Sequence, residues 1–317
     1  MLTIELDNKD GNVWNISELV SSATWKTSRI GKPASFDFSF IADDKMSIYN
    51  GDVVRVKWDD HPLFYGYVFT ISNGNEEEIS VKCYDQTRYL MYNDSYVLQN
   101  MTAAAIVKRI ANDFNLKWGH IVDTKYVIAS MAEDNQKLMD IICKALDQTV
   151  IHTGNIYNFY DDFGKLTIRD ARDMKLDLVI GDSSLMYGYS FEKSIDSETY
   201  NRIKLVRDNK QTGRREVYIS KDSPNIAKWG LLQYYQVVDE NQNVAQIQKL
   251  MDQLAQLKNR ETKKLKLEAL GNPVARAGCY LTVKISDLGI DQYFLVEECS
   301  HSFSGEDYTM SMDLKVI

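Results

Sequence analysis

Two hydrophobic periods take turns along this chain, and each change of period marks a region. From Met1 to about Asp85 the period is two: Phe36, Phe38 and Phe40 alternate with Asp37 and Ser39, and Val54, Val56 and Trp58 alternate with Arg55 and Lys57. Such alternation sends successive side chains to opposite faces of a strand. Turn signals at Asn50-Gly51 and Asn73-Gly74 punctuate the region at the short spacing of a barrel or small sandwich. Glu76, Glu77 and Glu78 read as a solvated turn.

At Thr102 the period becomes helical. Thr102 supplies an N-cap, and Ala103, Ile106, Val107 and Ile110 share one stripe. A second helix carries Leu138, Ile141, Ile142, Ala145 and Leu146 at i, i+3, i+4, i+7 and i+8. A hairpin follows, with Asp161 to Gly164 as its turn. Strands dominate again from about Leu176. They are interrupted by a helix from Asn243 to Arg260 with a stripe of Val244, Ile247, Leu250, Met251, Leu254 and Leu257. That stripe is expected to dock on the end of a C-terminal barrel, leaving Gln246, Gln253 and Gln256 on the other face. The last strand aligns Tyr308, Met310, Met312, Leu314 and Val316 on one side.

The β regions share a motif. "GDVVRVKWDD" from Gly51 and "GCYLTVKISD" from Gly278 carry Gly and Val-Lys at the same offsets, with Asp60 at the offset of Asp287 and Asp59 beside it. Each is followed by an aromatic strand, a Gly-acidic turn and an alternating strand. Agreement of spacing, turn chemistry and strand order favours duplication over chance similarity between two meanders. The expected fold class is therefore mainly β with an α+β insert: two tube-like β barrels related by an internal pseudo-repeat, plus a small α+β domain. The expected domains are 1–95, 96–175 and 176–317.

Composition narrows the function classes. The 317 residues are 44% hydrophobic and 26% charged, with a formal net charge of −8, which describes a globular chain long enough for two or three cores. No apolar run approaches the length of a membrane span, and the opening "MLTIELDNKDG" lacks the basic-then-apolar order of a signal peptide. Synthesis and folding in the cytosol, without membrane insertion, are expected. Cys83, Cys143, Cys279 and Cys299 are scattered singly, so buried thiols are expected and neither a zinc site nor a disulfide framework. His61, His120, His152 and His301 are far apart and read as surface or half-buried residues. Asp161-Asp162 and Glu297-Glu298 are the carboxylate pairs a glycosidase would need, but neighbours on a strand point to opposite faces. No phosphate loop, nucleophile elbow or metal helix is present. No catalytic residue, cofactor or metal site is assigned.

"YNRIKLVRDNKQTGRREVYIS", Tyr200 to Ser220, reads as a hairpin with six basic residues. Alternation divides them: Arg202 and Lys204 face one way, Ile203, Leu205 and Arg207 the other. Only the tip, with Lys210, Arg214 and Arg215, is locally basic, too little for a nucleic-acid groove in an acidic chain. The following "KWGLLQYYQVV" has aromatics but one Lys, which suits core or subunit packing better than base stacking. Lys210, Arg214, Arg215, Trp229, Tyr234 and Tyr235 are the candidate protein-interface residues.

Four stretches together resemble the baseplate hub protein of PBSX-like prophages and R-type, contractile-tail bacteriocins. They are "YDQTRYLMYNDSYVLQNMTAAAIVKRIANDFNL", "DDFGKLTIRD", "SETYNRIKLVRDNKQTGRREVYISKDSPNIAKWGLLQYY" and "HSFSGEDYTMSMDLKV". The resemblance implies kinship with the late control gene D family. It implies a structural, non-enzymatic homotrimer joining a hexameric tail tube to a central spike beside other baseplate components, within an assembled tail or bacteriocin particle. It also implies a use for the repeat, since three chains with two barrels each would offer six similar surfaces to the tube. Some relatives carry a lysozyme-like portion; its absence here places any peptidoglycan hydrolysis in another chain. Any DNA in transit is expected to meet an acidic lumen, without stable binding. The rival classes are a peptidoglycan- or carbohydrate-cleaving tail enzyme and a nucleic-acid-binding protein.

Overall fold

The computed structural model describes residues 1–41, 47–73, 78–209 and 213–315. Gly74, Glu76, Glu77, Lys210 and Val316 lie outside the described residues. In chain order the elements begin with β1 (Leu2–Asp7), β2 (Val13–Asn15), β3 (Val20–Ser28), β4 (Ser35–Ile41), β5 (Val53–Trp58), β6 (His61–Asn73) and β7 (Glu78–Tyr84). Then come β8 (Asn93–Thr102), α1 (Ala103–Asp113), β9 (Trp118–Ile121), β10 (Val127–Lys137), α2 (Leu138–Thr153), β11 (Tyr157–Asp161) and β12 (Leu166–Asp170). Next are β13 (Lys175–Gly181), β14 (Met186–Ser194), β15 (Arg202–Asn209), β16 (Arg214–Lys221), α3 (Ser223–Trp229), β17 (Gln233–Val238) and α4 (Val244–Lys258). The chain closes with β18 (Thr262–Leu270), β19 (Tyr280–Ile285), β20 (Ile290–Ser304) and β21 (Asp307–Lys315).

Two compact units result: a larger one of 1–149, 155–190 and 265–317, and a smaller one of 150–154 and 191–264. Both expected domain boundaries, after 95 and after 175, fall inside the larger unit. Its N-terminal strands bury the alternating set read from the sequence, with Phe36, Phe38, Phe40, Val54 and Val56 all in one cluster. Its helical part has a separate core. Thr102 caps α1 by accepting from the Ala105 N–H at 3.2 Å, and Ile106, Val107, Ile110, Ile141, Ile142 and Ala145 pack together.

The duplication is plain in the strand winding. The first half of the sheet runs β1-β5-β6-β7-β4-β3, and the second runs β13-β19-β20-β21-β18-β14. Taken in chain order, the two series visit the same positions. Hydrogen bonds repeat as well. Gly51 N–H donates to Val68 O at 2.8 Å and Val68 N–H to Asp52 O at 2.9 Å; Gly278 N–H donates to Val296 O at 2.8 Å and Val296 N–H to Cys279 O at 2.9 Å. Both glycines sit in the left-handed region, at φ 91° and 92°, where a side chain is strained. Immediately after those bonds each half has a bulge, between Val68 and Thr70 against β7 and between Val296 and Glu298 against β21. One feature departs: β1 is antiparallel to β5, whereas β13 is parallel to β19.

The mainly β class is as expected, but strand pairing among the described residues does not close two separate barrels. β20 is fifteen residues long and outlasts β19, which covers it only to Leu295. Its remaining edge, Glu298–Ser304, takes β3 of the other half as an antiparallel neighbour. An exposed ladder edge is satisfied by pairing, so the halves merge into one 13-stranded sheet.

In the smaller unit the sheet order is β16-β15-β17, and the expected hairpin is present as β15 antiparallel to β16. The docking expected for α4 is corrected here: the helix packs on this sheet, not on a C-terminal barrel. Ile247, Leu250, Met251 and Leu254 form one cluster with Ile203, Leu205 and Val238. The cause is the odd-numbered face of β15, which offers Ile203 and Leu205 to the nearest apolar stripe. Val244 lies off that contact and is 57% exposed. Asn243 caps α4 in a reciprocal box with Gln246. Gln253 is half-buried and donates to His152 O at 3.3 Å, so it does not belong to a solvated face.

Candidate interaction surface

In the smaller unit β15 divides its side chains as the alternation requires. On the helix side Arg207 pairs with Glu216 and donates to Gln242 O. Glu216 also accepts from Asn209 at 2.7 Å and Tyr218 at 2.7 Å. Those donors, with Arg207, pull its carboxyl down to about 2. At the hairpin end Arg215 pairs with Asp208 at 2.7 Å, which lowers that carboxyl too, while Arg214 is exposed. Trp229 is half-buried at the end of α3, with the Lys228 ammonium 5.1 Å from its ring. Tyr234 turns inward against Tyr200, ring centroids 5.3 Å apart. Tyr235 turns outward.

The outward face also carries Val217, Ile219 and Val237, all exposed. Val206 pairs with both Val217 and Val237, and Lys204 with both Ile219 and Tyr235, so the apolar residues form two adjacent cross-strand rows. Sequence reasoning picked Tyr235 and missed the three aliphatics. Their signal was present: in "EVYIS" Val217 and Ile219 oppose Tyr218, so β16 is apolar on both faces.

The larger unit offers a surface of another kind. The polar face of its sheet has a groove lined by Ser22, Thr24, Ser39, Ser72 and Ser80 with Asp37 and Lys82, and a second lined by Ser28, Ser35, Ser300 and Ser311 with Lys26, Lys32, Lys266, Glu298 and Asp313. Hydroxyls line both grooves, and charges of both signs are interleaved: Lys82 lies 4.0 Å from Asp37 and Lys32 2.7 Å from Glu298. Neither groove is uniformly acidic. Total charge is a sum over the chain and does not say which face carries it.

The reactive groups are committed to structure. Asp161 is buried and accepts from Gln86 and from the Gly164 N–H, each at 2.6 Å, whereas Asp162 reaches Arg169 at 3.5 Å. Glu297 pairs with Arg29 at 2.9 Å. Asp85, also buried, accepts from the Thr87 N–H at 3.0 Å and the Ala34 N–H at 3.3 Å. Burial, then the charge of Asp161, hold Asp85 above the ordinary carboxylate range, and burial lifts Asp161 too. His301 corrects an expectation, for it is fully buried. Its Nε2 meets Ala275 O at 2.9 Å, its Nδ1 meets the Tyr308 hydroxyl at 3.0 Å, and its ring stacks on Trp25 at 4.9 Å. Burial pushes its imidazole down to about 4. Cys83, Cys279 and Cys299 are buried, Cys143 is half-buried, and all four are free thiols. Among the described residues no cluster of His, Cys, Asp and Glu could hold a metal ion, and no helix is long and apolar enough to cross a membrane.

Comparisons with known proteins agree with this architecture. The family model described as YQBQ-like matches residues 23–315. YqbQ, an uncharacterized protein of Bacillus subtilis, is 34% identical over 272 residues, covering 84% of this chain and 82% of that protein. The phage-like element PBSX protein XkdQ of the same organism is 34% identical over 273 residues, with the same coverage. Among solved structures, the 43 kDa tail protein of prophage MuSo2 from Shewanella oneidensis superposes with a TM-score of 0.74 at 14% identity, covering 99% of this chain and 98% of that one. The E. coli c3393 protein is a type VI secretion system component described as similar to T4 tail proteins gp27 and gp5. It superposes with a TM-score of 0.58 at 10% identity, over 98% of this chain and 76% of that one. The fold is that of phage tail proteins, and the expected likeness to PBSX proteins is borne out.

Proposed function

The chain belongs to the YQBQ-like family, and from that premise we propose that it is the structural baseplate hub of a contractile injection machine. In this reading it is a homotrimer that joins a hexameric tail tube to a central spike, contacts other baseplate components and catalyses no reaction. The observation that carries the reading is the repeated winding of the sheet, down to matching glycine turns and bulges. A trimer of chains with two like halves presents six like surfaces, which reconciles three-fold hub with six-fold tube. The hydroxyl-lined sheet face is the surface suited to a channel wall: it is wettable, and its paired charges give neither phosphates nor polypeptides a sustained field to hold. The protein is made in the bacterial cytoplasm and then built into the particle.

Quantitative mass spectrometry of purified tails, with the tube protein as the internal standard for six copies per ring, tests the proposal. Three copies of this chain per particle are expected, with an opening at the centre of the ring in low-resolution images. Six copies per particle would overturn it.

A further inference from the structure

The outward face of the β16-β15-β17 sheet is charged at one end and apolar in the middle. Two residues beyond the aliphatic rows on one side, Arg202 pairs with both Lys221 and Gln233; on the other side Asp208 pairs with Arg215. At the Asp208 end the charges cancel, in an ion pair of 2.7 Å. At the Arg202 end they do not. Arg202, Lys204 and Lys221 share the face, and none of the three has an ion-pair partner among the described residues. The acids that flank this end in sequence are committed elsewhere: Glu198 pairs with Lys258 at 2.6 Å, and Asp222 caps α3, accepting from the Asn225 N–H at 2.8 Å and from Asn259 at 2.8 Å. Arg202 Nε is buried with no acceptor among the described residues, an arrangement that costs stability until a partner supplies one.

Beside these cations Val217, Ile219, Tyr235 and Val237 remain 46% to 52% exposed, a contiguous apolar patch of the kind that marks an interaction site. Aliphatic rows do not suit nucleic acid, and cations gathered at one end follow no phosphate path. An acidic polypeptide fits both features. β15 spends its backbone groups on β16 and β17, so a segment lying across the face finds no ladder to join and must satisfy its own backbone. That segment is a helix. Two strand spacings make the face about 10 Å wide, the diameter of a helix with its side chains, and the rows from Arg202 to Asp208 run about 20 Å, or about thirteen helical residues. The opposite face of the same sheet already takes a helix, for α4 packs Ile247, Leu250 and Leu254 with Ile203 and Leu205.

We infer that this face seats an acidic amphipathic helix of a different protein, with aliphatic side chains on Val217 and Val237 and carboxylates at its C-terminal end over Arg202, Lys204 and Lys221. The helix dipole sets that direction, because the last turn carries unpaired carbonyls and partial negative charge, which the cations favour. The inference rests on the hub reading for the particle in which the two chains meet, while the chemistry of the occupant follows from the face alone.

Photocross-linking tests it. Benzoylphenylalanine is incorporated in place of Gln233 or of Val237 in the full-length chain, particles are assembled and irradiated, and the cross-linked peptides are sequenced by mass spectrometry. Both positions should trap one segment of a different protein, with the Gln233 adduct about nine residues C-terminal to the Val237 adduct and Asp or Glu clustered beside it. Arg202→Glu with Lys221→Glu should cut the yield by at least about tenfold through like-charge repulsion, and the milder Arg202→Gln with Lys221→Gln should cut it less. Hydrogen exchange across α4 in the unassembled variants checks that the smaller unit is folded. Particles that contain the chain but give no adduct, or an adduct with DNA, with a second copy of this chain or with a basic segment, would overturn the inference. Adducts in the reverse order, or a yield indifferent to charge, would overturn it too. In each of those cases three copies per particle by mass would leave the hub reading standing, whereas six copies with the expected adducts would overturn the hub reading alone.

Discussion

The stripe of α4 supplies a sharp test, because two of its members that look alike in sequence have opposite surroundings. Leu254 is 0% exposed in a cluster with Ile203, Leu205, Ile247 and Leu250; Val244 is 57% exposed. Truncating Leu254 to Ala removes three carbons, worth roughly 0.8 kcal/mol each in transfer. It leaves a cavity that sheet and helix only partly refill, so the total should be about 2 to 5 kcal/mol. Val244→Ala removes little buried surface and replaces a β-branched residue with the best helix former, so its effect should stay within about 0.5 kcal/mol of zero. Because the chain has two compact units, a whole-molecule melt need not be two-state. Urea titration read by peptide-resolved hydrogen exchange over residues 247–254 isolates the smaller unit. Protection there should collapse at much lower urea in Leu254→Ala than in Val244→Ala. Equal, small effects at the two positions would refute the packing of α4 on β15.

Three further outcomes are expected. His301 is neutral in the fold, with its imidazole pushed down to about 4 by burial, whereas an unfolded histidine titrates near ~6.5. Its depressed value means that stability is fully present above pH ~6.5 and is lost as pH falls toward 4, by at most about 1.4 kcal/mol per unit. In denaturant titrations the advantage of wild type over His301→Gln should therefore shrink by roughly 2 to 3 kcal/mol between pH 7 and pH 4.5; a constant gap would refute this. Asp85 and Asp161, raised by burial, weaken the fold as pH rises instead, but they are common to both proteins and cancel. Gly51→Ala should cost about 1 to 2 kcal/mol through its positive φ. Gly278→Ala should cost visibly more, since its Cβ would lie 2.8 Å from Asn158; equal midpoint shifts in urea would be the contrary result. Replacing Lys210, Arg214 and Arg215 together with Ser should impair particle assembly and leave DNA retention on a filter unchanged; a loss of strong DNA binding would reverse that judgement.

The elements of this protein were legible in its sequence because their signals are local. Thr102 and Asn243 announce helix starts three residues from the amides they cap, and the phenylalanines of β4 declare their face by alternation alone. The resemblance between the Gly51 and Gly278 segments survives because a positive φ and a bulge each demand particular residues within a few positions. What meets what was decided at long range. The sequence marked the α4 stripe as apolar but could not say that β15 would receive it, since many apolar faces are chemically equivalent until the chain is placed. His301 looked like a surface residue because nothing near it in sequence reveals Trp25, Ala275 and Tyr308 closing around its ring. The merging of the two halves through β20 and β3 depended on β20 outlasting β19, a mismatch of lengths between strands that only pairing exposes. Backbone ladders are blind to side-chain identity, so the choice of neighbour for an open edge is made by the geometry of the folded sheet.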